Sequence, residues 1–185
     1  MGYVAGILNT YFDPRRFISN KIVDGVNERE LLALTFGIAL LSFASNSIGL
    51  SLSREAERSD EIFARLLSSY FAVAIFFVPI FLYFLAAIFH GLMRLVYKVT
   101  PLPLSRVTFF WALFLCMPFQ ILVSIIRVSF TSEHLSIFLN STILLYFIWL
   151  WSIFDSEIFG LKKIFPIFML KLGAIAICFG TVLAL

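Results

Sequence analysis

The stretch Leu66–Met93, LLSSYFAVAIFFVPIFLYFLAAIFHGLM, carries no Asp, Glu, Lys or Arg across its 28 residues. At ~1.5 Å rise per residue, a helix of that length exceeds the ~30 Å hydrocarbon layer of a bilayer, so it reads as a membrane-spanning helix. Pro79 removes one backbone hydrogen bond near the middle and is expected to bend the helix, a defect that neighbouring helices of a bundle tolerate. The stretch is therefore expected to be the central helix of a small bundle.

The rest of the composition agrees. The 185 residues are 61% hydrophobic and 14% charged, with a mean hydropathy of +1.00, whereas about a quarter of the residues of a soluble domain are charged. The net charge is only +3. Without a Lys/Arg-rich run interleaved with aromatics, no nucleic-acid partner is expected. Cys116 and Cys178 lie inside apolar runs and read as small buried hydrophobes. The apolar segment Tyr3–Phe12 is interrupted by Asn9 and leads into Asp13-Pro14-Arg15-Arg16, so no cleavable leader is expected. A twin-arginine signal needs an apolar run behind the arginines, and here Lys21, Asp24, Glu28 and Glu30 follow.

Working outward, the fold class is all-α: a polytopic bundle of five transmembrane helices with a short N-terminal interfacial helix. Residues 1–30 form a cytoplasmic arm, in which Asp13-Pro14 starts a helix reaching about Asp24 that lies on the membrane surface. Residues 31–185 form the membrane domain, with spans at about 31–53, 66–96, 107–126, 135–154 and 164–185. Asn27 and Glu30 have the spacing of a capping box. Ser42, Ser45, Asn46 and Gly49 recur at helical spacing and should admit a close neighbour. Arg54–Arg65 is strongly charged and expected in water, Pro101 and Pro103 should keep the next connection extended, and Asp155–Lys163 reads as a wet loop. Ser132-Glu133 starts the fourth span, whose terminal Tyr146, Trp149 and Trp151 suit an interface.

Lys and Arg number nine on one face (Arg15, Arg16, Lys21, Arg29, Arg94, Lys98, Arg106, Lys162, Lys163) and four on the other (Arg54, Arg58, Arg65, Arg127). Basic residues stay in the cytoplasm, which places the N-terminus inside and the C-terminus outside a bacterial inner membrane.

Three groups of residues are candidate sites. Lys171 is the one full charge well inside a span. Seven residues, about 10 Å, separate it from its helix start, so its stem is expected to snorkel to water, with no acidic partner in any span. Asn46, Gln120 and Asn140, with Ser68 and Ser69, fall at one depth and are expected to form a hydrogen-bonded layer between helices, the alternative being a small polar cavity. Arg15, Arg16, Lys21, Arg94, Lys98 and Arg106 form a cytoplasmic patch that enforces topology or attracts anionic lipid headgroups. His90 and His134 fall on opposite faces, so no metal site is expected. No catalytic motif or cofactor fingerprint occurs.

The segments FDPRRFISNKIVDGVNERELLALTFG (12–37), HGLMRLV (90–96) and SRVTFFWALFLCMPFQ (105–120), in the setting of five closely spaced spans, resemble bacterial members of the Yip family, the Ypt-interacting-protein membrane domain. The resemblance rests on span order and on Pro14, Arg106, Trp111 and Pro118. It implies a five-helix integral membrane protein with a cytoplasmic N-terminus. Eukaryotic relatives bind small GTPases through a longer soluble N-terminal region with an acidic-tyrosine-glycine-proline motif. Neither is found here, so GTPase binding is not carried over. The expected function is a non-enzymatic membrane-organising or scaffold protein with a membrane-protein partner or a second copy of itself. The alternative is a small transporter or lipid-handling protein that uses the polar layer.

Overall fold

A computed structural model describes residues 10–23, 25, 27–52, 60–97, 102–130 and 132–184. Helices α1 (Pro14–Val23), α2 (Glu28–Leu52), α3 (Asp60–Ala72), α4 (Val78–Tyr97), α5 (Leu102–Ser129), α6 (Glu133–Ile158) and α7 (Ile164–Ala184) follow in order, with no strand among the described residues. Among the described residues, four helices are long and apolar enough to cross a membrane: 28–51, 61–97, 102–127 and 134–158. Within α7, the residues Ile164–Ile177 form a further apolar segment.

Helix starts follow side-chain chemistry. Asp13 Oδ1 accepts from the Arg16 N–H at 3.2 Å, Asn27 Oδ1 from Arg29 at 3.0 Å and Ser132 Oγ from Leu135 at 3.5 Å, each satisfying a backbone donor of the first turn. Glu30 does not close the capping box; it pairs with Lys21 instead, at 2.6 Å. Gly160, at φ 63°, ends α6, and the Leu161 N–H returns to the Ser156 carbonyl at 2.9 Å. Pro79 cannot donate to the Ile75 carbonyl. The helix accommodates it with a π-helical turn, Val73–Phe77, whose Val78 N–H reaches back to Val73 O, so α3 and α4 form one continuous rod.

Several helices outrun the expected spans. The second begins at Asp60 and the third at Leu102, with Pro103 in its first turn, where a missing N–H is harmless. The connection is thus helical from residue 102, not extended. The fourth continues to Ile158, which brings Asp155 out of the expected loop and into the helix. Lys98, Pro101, Asp24 and residues 53–59 lie outside the described residues.

The centre of the bundle is α5, not the Leu66–Met93 helix. Of the most apolar stretch of α5, 44% is buried inside the protein, against 22% for the α3–α4 rod. Freedom from charge marks a helix that avoids water, and lipid satisfies that as well as protein does. The α3–α4 rod accordingly leaves Phe76, Phe77, Ile80, Phe81 and Phe84 more than half exposed. Around α5, α2 runs parallel (Glu28 meets Arg106, and Ser45 meets Ser124), while α4 runs antiparallel (Tyr83 meets Phe110, and His90 meets Ser105).

Helix α1 packs against the groove between α5 and α6. Ile18 is fully buried, Phe17 meets Trp111 edge-on at 4.9 Å, and just upstream the Tyr11 hydroxyl donates to Leu115 O at 2.8 Å. Trp151 belongs to this core and not to an interface. It is 3% exposed and packs with Phe89, Phe109 and Phe147, while Trp149 is 46% exposed.

Candidate functional site

Three of the five residues of the expected polar layer converge. Asn46 on α2, Gln120 on α5 and Asn140 on α6 line one cavity of about 400 Å³, together with Ser42, Ser45, Leu113, Cys116, Met117, Ile143, Leu144 and Phe147. Asn46 is six residues from the end of α2, Gln120 nine from the end of α5 and Asn140 seven from the start of α6. At ~1.5 Å per residue, all three lie about 9–14 Å below the same end of the bundle.

Among the described residues, no hydrogen bond joins these carboxamides. Serines make the interhelical bonds instead: Ser45 Oγ and Ser124 Oγ are 2.6 Å apart, and Ser42 Oγ donates to Met117 Sδ at 3.6 Å. Between α2 and α5, the helix-joining role expected of Asn46 and Gln120 therefore falls to Ser45 and Ser124. A Cβ added at Gly49 would meet nothing within 4 Å, so the close approach stops short of it. Ser68 and Ser69 do not join the layer. Both are exposed on α3 and donate to the Arg65 carbonyl, at 2.9 and 2.8 Å. Depth along a helix is legible in a sequence; the direction a side chain faces depends on packing that the depth does not fix.

At the other end of the bundle, Lys171 Nζ is fully buried, 2.7 Å from Asp155 Oδ2 and 3.7 Å from the centre of the Trp151 ring. It has an acidic partner and does not snorkel, which reverses the sequence expectation. The error came from ending α6 at its first charge. Among the described residues, Asp155 Oδ1 and Trp151 Nε1 have no hydrogen-bond partner. A buried charge is tolerated when an opposite charge faces it.

The basic patch divides. Lys21 pairs with Glu30 and sits 5.1 Å from the Trp111 ring centre, and Arg106 pairs with Glu28 at 2.7 Å while lying over Tyr83. Arg15, Arg16 and Arg94 are exposed. His90 Nδ1 lies 2.8 Å from Ser105 Oγ, and His134 starts α6 at the opposite end. Among the described residues, no three His, Cys, Asp or Glu side chains group as a metal site would require. Cys116 is a buried free thiol in the cavity wall, a contact that its apolar surroundings in sequence did not signal.

Beside the Cys116 thiol, the cavity's polar groups are uncharged carboxamides and hydroxyls. Each carboxamide both donates and accepts, and none can act as a strong acid, base or nucleophile. The arrangement suits holding a ligand. No protein-family model, characterised protein or solved structure matches the chain.

Proposed function

We propose that the protein is a non-enzymatic, multi-pass membrane protein that binds a small polar or lipid ligand in the cavity between α2, α5 and α6, as a small transporter or lipid-handling protein. The carrying observation is that Asn46, Gln120 and Asn140 meet at one cavity and, among the described residues, are not hydrogen-bonded to one another, while Ser45 and Ser124 join α2 to α5. Its volume of about 400 Å³ lies within the range of ligand pockets, roughly 300–1,000 Å³. The proposal includes five spans, because α7 has 21 residues and a 30 Å layer needs about 20. The excess of Lys and Arg on one face favours a cytoplasmic N-terminus in a bacterial inner membrane.

The second reading is a Yip-type scaffold with a membrane-protein partner or a second copy. The row of exposed aromatic and aliphatic side chains on the α3–α4 rod supports it, being available to another helix. Replacing Asn46, Gln120 and Asn140 together by Leu separates the two. The variant, extracted in mild detergent and weighed intact, is expected to lose a co-purifying small molecule or lipid by at least tenfold. An unchanged small-molecule content, with a stoichiometric protein partner, contradicts the ligand reading and favours the scaffold.

A further inference from the structure

From the chemistry of the cavity wall we infer that its ligand is an uncharged, hydroxyl-bearing amphiphile: a neutral glycerolipid with a free hydroxyl, or a free polyol offering the same groups. This rests on the ligand-binding reading above. Among the described residues, the lining contains three carboxamides, two serine hydroxyls and the Cys116 thiol but no Lys, Arg, His, Asp or Glu. An anionic headgroup brought here would lose its water without a cation to meet it, and a cationic one would find no carboxylate. Hydroxyls suit the wall, since each donates and accepts, as each carboxamide does.

Leu113, Met117, Ile143, Leu144 and Phe147 supply an apolar half to the same cavity, which fits hydrocarbon next to a small polar group. The depth agrees. The carboxamides lie about 9–14 Å below the bundle end along helices of 25–28 residues, and those helices, at ~1.5 Å per residue, exceed a ~30 Å hydrocarbon layer by several ångströms at each end. That places the carboxamides about 5–8 Å inside one face of the hydrocarbon layer, one short reach below the glycerol level of a lipid. The exposed Arg15, Arg16 and Arg94, which suit anionic headgroups, stand at the other end of the bundle.

The test uses the purified full chain in detergent, stripped of lipid, with binding read by native mass spectrometry and by competition. The probes are a diacylglycerol, a phosphatidylglycerol with the same chains, and glycerol. One diacylglycerol per chain is expected, with the phosphatidylglycerol at least tenfold weaker. Gln120→Glu, which keeps the shape and adds a charge, is expected to lower diacylglycerol binding at least tenfold. Asn140→Asp is a second such variant if the first does not fold. Glycerol matching the diacylglycerol keeps the hydroxyl chemistry and identifies a soluble polyol as the source. Phosphatidylglycerol binding as tightly, with a loss in the same variants, overturns the uncharged class and leaves the pocket standing. Binding of every probe that ignores both substitutions overturns the pocket reading itself.

Discussion

An ammonium group with no exposed surface persists only if a partner compensates its lost water, and Asp155 is that partner for Lys171. Removing one member leaves the other charged and buried. Lys171→Met is therefore expected to destabilise the protein by about 3–5 kcal/mol, and Lys171→Met with Asp155→Leu to recover most of that loss. Thermal unfolding in detergent reads both, and a neutral single substitution contradicts the pairing. The sequence displayed Lys171 plainly and hid its partner. In a sequence an apolar run ends at its first carboxylate, yet α6 carries Asp155 inside its last turn, 2% exposed. Asn46, Gln120 and Asn140 were legible because depth along a helix is arithmetic. Their lack of mutual bonding was not, since it depends on the direction each side chain faces once the helices have packed.

At the scale of elements, the α2–α5 seam carries the polar joint. In a double-mutant cycle, Ser45→Ala and Ser124→Ala are expected to show a coupling of about 0.6 kcal/mol, typical for such bonds between membrane helices. Additive effects would show that the 2.6 Å contact contributes nothing. Helix starts at Asp13, Asn27 and Ser132 could be read from residue types alone, because a side-chain oxygen before an apolar run has one local use. The rank of the helices could not. Leu66–Met93 is the most charge-free stretch and faces outward, whereas α5, with Ser105, Arg106 and Gln120, is the axis. Hydropathy separates water from everything else and does not distinguish lipid from protein. The same limit applies to α1: Phe17 and Ile18 mark an apolar side, and only the fold assigns it Trp111 and Phe154 as neighbours.

For the whole molecule, the charge pairs that are at least partly buried collect at one end. Lys21–Glu30, Arg106–Glu28 and Lys171–Asp155 gather where α2, α5 and α7 begin, while the exposed Arg65–Glu61 pair of α3 and the carboxamides of the cavity lie toward the end where α5 turns into α6. With the ion-paired end in the cytoplasm, a reporter fused after Leu185 is expected outside the cell, and a cytoplasmic signal contradicts five spans. The central claim concerns the cavity, and an experimentally determined structure of the protein in a lipid nanodisc tests it most directly. The expected result is non-protein density within hydrogen-bond distance of Asn46, Gln120 and Asn140. A cavity closed by hydrogen bonds among those three side chains, with no density between them, contradicts the claim.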